Sequence, residues 1–286
     1  MRQKETKKKL LASVRKLHVS SQNVYFFFAW EKGKEREEKE QVRALKVSIV
    51  IPTFNERRNI SILIPRVVEV LHKNRITGEI IVVDDNSEDG TAEEVRRLAR
   101  KFRGICEIRL IERERKMGIG SAYKTGFAHA NGDILFEMDG DLSHDPALIP
   151  AFLRKLHEEK CEVVIGSRYV RGGGVNDWGI LRRIISAGAN MMASKLLNLG
   201  VKDATSGYRA YKREVIERIN SEICSEGYAF QVEMVYFATK IGFKVAEIPI
   251  IFKNREDGKS KLGLKEVVRF FATVSKLALD RRLRRR

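Results

Sequence analysis

Several common patterns are missing from this chain of 286 residues, and each absence excludes a class of protein. The three cysteines, Cys106, Cys161 and Cys224, form no C-x-x-C pair, which argues against a zinc site and fits a reduced, cytoplasmic setting. No stretch approaches the roughly 18 apolar residues of a membrane-spanning helix. The short aromatic segment 25–30 also lacks the flanks of a secretory signal.

Glycine motifs that bind nucleotides are absent too. The segment Gly118-Ile-Gly120 superficially resembles a dinucleotide-binding loop, but Tyr123 stands where the third glycine belongs. The chain contains no Walker sequence. We therefore expect these glycines to serve the packing of a helix start.

Acidic residues are scarce relative to basic ones. The chain carries 55 Lys and Arg against 38 Asp and Glu, a formal net charge of +17. Such an excess implies attraction to an anion: nucleic acid, an acidic membrane surface or a phosphorylated small molecule. Part of the excess lies in two terminal runs, residues 2–9 and 281–286, which are either solvated tails or contacts for a partner.

Apolar runs alternate with segments of helical spacing through the first half of the chain. This alternation predicts an α/β fold with a mostly parallel sheet covered on both faces. The predicted strands are 47–52, 79–83, 108–111, 134–138 and 163–165, and the predicted helices are 60–73, 91–102, 121–129 and 148–157.

The second half is less regular. A flexible loop is expected at 171–174, followed by a long helix over 181–199 that Gly200 ends. Short strands near 208–211 and 245–251 flank a helix at 231–240, and a last helix covers 264–279.

These patterns predict three regions along the chain. Residues 1–45 form a basic, mixed-charge extension, which is either a disordered lead or a small helix that contacts a membrane surface or a partner. Residues 46–263 form the main domain, with halves at 46–170 and 171–263, and residues 264–286 form an amphipathic, basic C-terminal helix.

Acidic residues follow several predicted strands. Asp139 and Asp141 end an apolar run, and in an extended backbone residues two apart point the same way. Mg²⁺ and Mn²⁺ typically take one or two carboxylates together with substrate phosphates, so this pair predicts a metal-bridged diphosphate; a solvated turn is the alternative. Asp84 and Asp85 follow four apolar residues, and we expect at least one to face a ligand or cation.

The order of these motifs resembles that of the GT-A family 2 glycosyltransferases, and the second half resembles the dolichyl-phosphate mannose synthases among them. The resemblance covers about residues 46–263 and implies a GT-A (Rossmann-like) three-layer sandwich. It is carried by Pro52-x-Phe54-Asn55-Glu56, Asp84-Asp85-Asn86-Ser87-x-Asp89-Gly90-Thr91, Asp139-x-Asp141-Leu142-Ser143-His144, Gly166-Ser167-Arg168-Tyr169, Trp178-Gly179-x-Leu181-Arg182, Thr205-Ser206-Gly207-Tyr208-Arg209, Gly227-Tyr228-x-Phe230-Gln231-x-Glu233 and Arg255-x-x-Gly258-x-Ser260-Lys261.

The resemblance also implies roles for single residues. A GDP pocket would be lined by Pro52, Phe54 (where many members have Tyr), Glu56, Val83 and Asp85. The donor diphosphate and its metal would be held by Asp139, Gly140 and Asp141, with Ser143 standing where some members have a further ligand, Gln. The donor and acceptor phosphates would be bound by Arg168, Arg182, Ser186, Arg255 and Lys261, and Asp139, Asp141 and Arg168 would be catalytic.

The implied reaction is inverting transfer of mannose from GDP-mannose to dolichyl or another polyprenyl phosphate. A phosphate monoester has a second pKa of about 6, so the nucleophile is already anionic at neutral pH and needs no general base. Arg182 and Ser186 lie four residues apart on one helix and can grip one phosphate. His144 is expected to be structural or to hydrogen-bond near the metal.

Because the acceptor is a lipid, we expect peripheral attachment to the cytoplasmic side of a membrane through the last helix, or a separate membrane subunit. No nucleic acid is expected as a partner. Three alternatives remain open: a UDP-glucose-dependent polyprenyl-phosphate glucosyltransferase, a nucleotidyltransferase and a basic nucleic-acid-binding module.

Overall fold

A computed structural model describes residues 45–176, 179–253 and 264–283, without the side chains of 180–182, 264–267 and 282–283. The extension at 1–44, the predicted phosphate ligands Arg255 and Lys261, and the last three arginines lie outside the described residues. The division of the chain into three regions therefore stays a prediction.

The described residues form nine strands and eight α-helices, which alternate as far as β5. The strands are β1 (Val47–Thr53), β2 (Gly78–Asp84), β3 (Glu107–Glu112), β4 (Ile134–Glu137), β5 (Val163–Ser167), β6 (Gly174–Val175), β7 (Arg209–Lys212), β8 (Val245–Pro249) and β9 (Ile251–Phe252). The helices are α1 (Arg57–Lys73), α2 (Thr91–Lys101), α3 (Ile119–His129), α4 (Ile149–Glu158), α5 (Ile180–Leu197), α6 (Arg213–Ile219), α7 (Phe230–Ile241) and α8 (Leu264–Leu283).

Seven of the strands form one sheet in the order β3-β2-β1-β4-β7-β5-β8. All of its neighbours pair in parallel except β7, which runs antiparallel to both β4 and β5. The mostly parallel sheet is thus confirmed. From β1 the chain runs outwards to β2 and β3, and then crosses back to form β4 on the other side of β1. Open α/β sheets bind ligands in the crevice at such a switch point, outside the carboxyl ends of the strands.

Helices cover both faces of this sheet, which confirms the three-layer sandwich. Alternate strand residues face opposite ways, so Val50 and Ile81 pack with α3, α5, α7 and α8 while Ile49 and Ile80 pack with α1, α2 and α4. All four of these strand side chains are fully buried. The continuous apolar runs in the sequence therefore reflect burial on both faces.

Several predicted boundaries need correction. The long helix α5 ends at Leu197 rather than at Leu199, because Asn198 adopts the left-handed conformation with φ 55° two residues before Gly200. The predicted strand 245–251 is two strands, since the chain leaves the main sheet after Pro249 and Ile251 pairs with β6 instead. The predicted loop 171–174 accordingly ends in a strand at Gly174, and α6 was not predicted at all.

The last helix is longer than predicted and packs on the domain. Phe270, Val274 and Leu277 of α8 lie in the hydrophobic core, whereas Val268 and Phe271 are exposed. The apolar residues that the sequence predicts on one face of this helix therefore fall into two groups, one packed in the core and one exposed to solvent. Among the parts of the chain that the structure describes, no helix is long and apolar enough to cross a bilayer.

Candidate active site at the carboxyl edge of the sheet

Hydrogen bonds join the loops that follow β1 and β2. The buried Asp84 carboxylate accepts from Thr53 Oγ1 at 2.8 Å, and from Ser87 N and Oγ at 2.9 and 2.6 Å. Ser87 Oγ in turn accepts from Asn55 N at 2.8 Å. Asp84 therefore fixes the shape of this edge, and its neighbour Asp85 is the carboxylate left for other chemistry.

Asp85 forms a close ion pair with Arg113, which directly follows β3. Arg113 Nε donates to Asp85 Oδ1 at 2.5 Å, and the backbone N–H of Met117 donates to Oδ2 at 3.3 Å. Beside this pair, Lys116 Nζ lies 4.3 Å from the centroid of the Phe54 ring. Sequence reasoning missed Arg113 and Lys116, although basic residues at the end of a predicted strand were a usable signal.

The loop after β4, residues 138–145, carries Asp139 and Asp141, the two predicted metal ligands, and is called the acidic loop below. Ser143 donates to Asp141 Oδ1 from its backbone N at 3.1 Å and from Oγ at 2.5 Å. Leu142 between them has φ 66°, a left-handed conformation that costs a side-chain-bearing residue about 1 kcal/mol or more. At Gly140 a Cβ would lie 3.1 Å from the Pro52 carbonyl oxygen, so this loop approaches the end of β1 closely.

Three neighbours position Asp139, two of them at its carboxylate and one at its backbone. Tyr123 OH donates to Asp139 Oδ1 at 2.9 Å, and a Cβ on Gly207 would lie 3.1 Å from Oδ2. The backbone N of Asp139 donates to His144 Nδ1 at 3.1 Å, which puts the proton of the neutral ring on Nε2. Burial lowers the pKa of His144 despite the nearby carboxylates of Asp139 and Asp141. The expected structural role of His144 agrees with this geometry.

Arg168, which follows β5, is nearly buried and is bound by Asp203. Its Nε and Nη2 donate to the two oxygens of Asp203 at 2.7 and 2.6 Å, and Nη2 also donates to Thr205 Oγ1 at 2.8 Å. Burial opposes the charge on Arg168, but Asp203 outweighs it and raises the pKa of the guanidinium. Sequence reasoning missed Asp203, which gives no signal because it stands alone in a loop.

The segment 205–209 supports the acidic loop and Arg168. Tyr208 stacks on the His144 ring with centroids 4.9 Å apart. Arg209 is fully buried and donates to the carbonyl oxygens of Ala204, Ser206 and Gln231. It also stands opposite Glu137, whose pKa burial raises to about 7 against the opposing charge of Arg209.

The predicted acceptor-phosphate residues are only partly described. Ser186 Oγ on α5 accepts a hydrogen bond from Tyr169 OH at 2.8 Å, and the Arg182 side chain lies outside the described residues. The backbone N of Lys253, the last described residue before 254–263, donates to Ser143 O at 3.3 Å. The chain thus enters the segment that contains Arg255 and Lys261 from a point beside the acidic loop.

Most of the predicted site residues gather at one edge. Phe54, Glu56 and Asp85 follow β1 and β2, whereas the Val83 side chain is fully buried in the core and could meet a ligand only through its backbone. Asp139 and Asp141 follow β4, and Arg168 lies close enough for the charge of Asp139 to contribute to its raised pKa. Gly118 and Gly120 serve helix packing as expected, because a Cβ on either would collide with Glu226 or Phe230.

The acidic loop fits a divalent cation on its chemistry. Two adjacent carboxylates supply hard oxygen donors, and His144, kept neutral by burial, adds no compensating charge. The Asp139 side chain is 20% exposed and can be reached from solvent. No cluster of three or more Asp, Glu, His or Cys side chains that could hold a metal occurs among residues 45–176, 179–253 and 264–283, so phosphate oxygens of a ligand would have to complete the coordination.

Two curated proteins are similar in sequence to this chain. A polyprenol monophosphomannose synthase of Mycolicibacterium smegmatis is 39% identical over 219 residues, covering 75% of this chain and 80% of that protein. A dolichol-phosphate mannosyltransferase of Pyrococcus furiosus is 35% identical over 235 residues, covering 82% of this chain and 64% of that protein.

Solved structures share the fold at lower identity. Glucosyl-3-phosphoglycerate synthase of Mycobacterium tuberculosis, in complex with Mn²⁺, UDP-glucose and phosphoglyceric acid, superposes with a TM-score of 0.61 at 20% identity. The superposition covers 82% of this chain and 80% of that one. The model of the family described as glycosyl transferase family 2 matches residues 48–219. This range contains the carboxylates that follow β2 and β4, together with Arg168 and Asp203. With that match over more than half of its length, the chain belongs to glycosyl transferase family 2.

Proposed function

We propose that this glycosyltransferase moves mannose from GDP-mannose to the phosphate of a polyprenyl lipid and inverts the anomeric centre. The names of the two curated relatives support the sugar and the acceptor. The observation that carries the proposal is the placement of two carboxylates, Asp139 and Asp141, beside a buried arginine at the carboxyl edge of the sheet. Such a site can hold a diphosphate and a phosphate monoester side by side.

A divalent cation, Mg²⁺ or Mn²⁺, is part of the proposal. Asp139 and Asp141 would hold it, with Ser143 either as a further ligand or as the hydroxyl that orients Asp141. The Mn²⁺ and nucleotide sugar bound by the structural neighbour are consistent with this choice. When bound, the cation supplies positive charge to the diphosphate leaving group.

The side chains of the chain itself have a positioning task. The acceptor phosphate is already anionic at neutral pH, so no residue has to remove a proton from it. Arg168 is held by Asp203 with its guanidinium plane fixed, so its positive charge can act on a phosphate without reorganisation. Arg182, Ser186, Arg255 and Lys261 are proposed as further phosphate contacts.

The proposal is tested with purified protein, Mg²⁺ or Mn²⁺, a polyprenyl phosphate, and panels of GDP- and UDP-sugars. Of the nucleotide sugars, we expect only GDP-mannose to give a glycolipid, which carries mannose. We also expect Asp141→Asn to lower the rate by at least 100-fold, since the amide keeps the size of the side chain but not its charge. Glu88→Gln is the matched control, because Glu88 is an exposed acid in the neighbouring loop. Glucolipid from UDP-glucose, or normal turnover by Asp141→Asn, would contradict the proposal.

We also propose that the enzyme works at the cytoplasmic surface of a membrane, where its lipid acceptor lies. Exposed apolar side chains on two neighbouring helices support this: Ile184, Ile185 and Met191 on α5, and Val268 and Phe271 on α8. The net charge of +17 favours anionic lipid. A separate membrane subunit would serve the same end and would bind the same surface.

A further inference from the structure

Arg113 lies in the crevice, but the reaction proposed above gives this residue no role. It follows β3 directly, and its backbone N donates to Asp84 O at 2.9 Å, so its backbone position is fixed by the sheet. Its side chain is 7% exposed, as is that of Asp85. Arg113 and Asp85 form a buried ion pair between the ends of two neighbouring strands. Burial of an ion pair is seldom stabilising in itself, so we look for a role of Arg113 other than stability.

The two oxygens of Asp85 have different hydrogen-bond partners. Arg113 Nε donates to Oδ1 at 2.5 Å and Nη2 lies even closer to the same oxygen, so Oδ1 is fully occupied. Among the described residues, Oδ2 receives only the longer contact from Met117 N, at 3.3 Å. Each carboxylate oxygen can accept about two hydrogen bonds, so Oδ2 is the oxygen with spare capacity for a ligand N–H.

The same side chain also holds the segment 114–118 against the crevice. Arg113 Nη1 donates to Ser121 Oγ at 2.8 Å, and Nη2 donates to Gly118 O at 3.3 Å. Gly118 is locked from the other side, since its φ is 95° and a Cβ would lie 2.5 Å from Glu226 O. The segment between these anchors places Lys116 Nζ 4.3 Å from the centroid of the Phe54 ring, so the segment and the ring lie side by side in the crevice.

We propose that Arg113 is a positioning residue for nucleobase recognition: it orients Asp85 so that Oδ2 meets an N–H of the base, and it holds 114–118 as the wall beside Phe54. This deepens the proposed function, on which it rests for the nature of the ligand, a nucleoside diphosphate sugar. Arg113 does not touch the diphosphate in this scheme. It therefore acts on the choice and affinity of the nucleotide and leaves the chemical step alone.

The test compares how three full-length variants bind GDP, UDP and inorganic pyrophosphate by titration calorimetry with Mn²⁺ present. We expect Arg113→Gln to raise the Kd of the preferred nucleotide by about 10- to 100-fold, the usual effect of losing a charge-assisted contact, and to leave pyrophosphate within about twofold. Arg113→Lys should recover part of the affinity, because the charge remains but the fork is lost. In turnover, KM for the donor should rise while kcat at saturation stays within about twofold.

Ser121→Ala provides a milder variant in case Arg113→Gln does not fold. It removes one restraint on the guanidinium, keeps the ion pair and places a good helix former in α3, so nucleotide affinity should fall by about threefold in the same direction. Arg103→Gln is the matched control, because Arg103 is an exposed arginine in the turn before β3, at the edge of the sheet opposite the crevice, and it should change nothing.

The inference fails if folded Arg113→Gln binds the nucleotide as the parent does, if the affinity for pyrophosphate falls by the same factor, or if Arg103→Gln has the same effect. A parent enzyme that prefers UDP to GDP overturns the proposed donor instead. In that case the role of Arg113 is still judged on UDP.

Discussion

Gly207 shows how a residue without a side chain sets the position of a functional carboxylate. A Cβ at this position would stand 3.1 and 3.2 Å from the two oxygens of Asp139, closer than side chains normally pack. Tyr123 OH holds the same carboxylate from another side. Asp139 therefore has little room to move without loss of its position over the crevice.

We predict that Gly207→Ala lowers the rate of sugar transfer by about tenfold or more and leaves the protein folded. The reason is that the new methyl group must push the Asp139 carboxylate by a few tenths of an ångström, and misplacement of a reacting group by 1 Å can cost 10²-fold. Initial rates with varied Mn²⁺ measure the effect, which should include a weaker apparent affinity for the metal.

Gly188→Ala is the control for that substitution. Gly188 lies within α5 and has open space where its Cβ would be, so alanine should stabilise the helix by about 0.5–1 kcal/mol and leave turnover unchanged. Equal activity of Gly207→Ala and the parent would show that Asp139 does not need its present position.

The residues of the site were predictable where the local sequence marks them. Asp85, Asp139 and Asp141 each follow an apolar run, so their place at the edge of the sheet could be inferred from the sequence. Their partners could not: Arg113 is 28 residues from Asp85, and Asp203 is 35 residues from Arg168. Such pairs are set by the order of the strands in the sheet, which no local pattern encodes.

At the scale of elements, predictions succeeded for long periodic segments and failed for short ones. The strands β1 and β2 and the helices α1 and α2 have apolar patterns dictated by burial, and their predicted cores agree with the structure. The missed α6 spans only seven residues, too few for a helical period to stand out. The break at Ile250 depends on pairing with β6, which is a tertiary contact.

Glu79 joins several elements at the edge of the sheet opposite the site. Its carboxylate is fully buried on β2 and accepts from Ser48 Oγ and from Asn131 N at 2.6 Å, and from Arg109 Nη1 at 3.2 Å. Burial alone would raise the pKa of Glu79, but these hydrogen bonds and the charges of Lys46 and Arg109 outweigh it and lower the pKa below 4.5. The folded state therefore favours the ionised form.

We predict that Glu79→Gln lowers the free energy of unfolding by about 2–3 kcal/mol at pH 7, the usual cost of losing hydrogen bonds to a charged group. Because the pKa is lowered on folding, the contribution of Glu79 is present above the unfolded value of 4.5 and disappears as the pH falls through the folded value. Urea unfolding at pH 7 and near pH 3 measures this, and the difference between variant and parent should shrink at the lower pH.

Glu107→Gln is the comparison for Glu79→Gln, since Glu107 is 53% exposed and contacts the same Lys46. An exposed ion pair contributes little, so its loss should change stability by less than about 1 kcal/mol. A destabilisation by Glu79→Gln that stayed constant with pH would show that packing, not the charge of the carboxylate, is responsible.

The molecule as a whole combines exposed apolar side chains with a formal net charge of +17. On α5, Ile184 and Ile185 are 63% and 62% exposed, and α5 packs against α8, which exposes Val268 and Phe271. Deletion of residues 264–286 would be a poor test of membrane binding. It would also remove Phe270, Val274 and Leu277 from the core and so confuse unfolding with loss of a contact.

We predict instead that the double substitution Ile184→Glu and Ile185→Glu reduces binding to liposomes that contain anionic lipid by about tenfold or more. Two exposed isoleucines that enter the interface lose favourable transfer free energy when replaced by glutamate, and the new negative charges are repelled by the lipid. Co-sedimentation with vesicles of anionic and of neutral lipid, at low and high salt, separates the apolar part of the binding from the electrostatic part.

The matched control places glutamate at Leu45 and Ile105, which are 57% and 59% exposed and lie at the amino edge of the sheet. Both pairs of substitutions change the net charge equally, so a general electrostatic attraction would weaken by the same amount in each. If only the α5 pair releases the protein, that helix forms the membrane contact. Equal release would mean that the charge of the whole molecule holds it to the lipid, and the exposed isoleucines would then be free to meet a protein subunit instead.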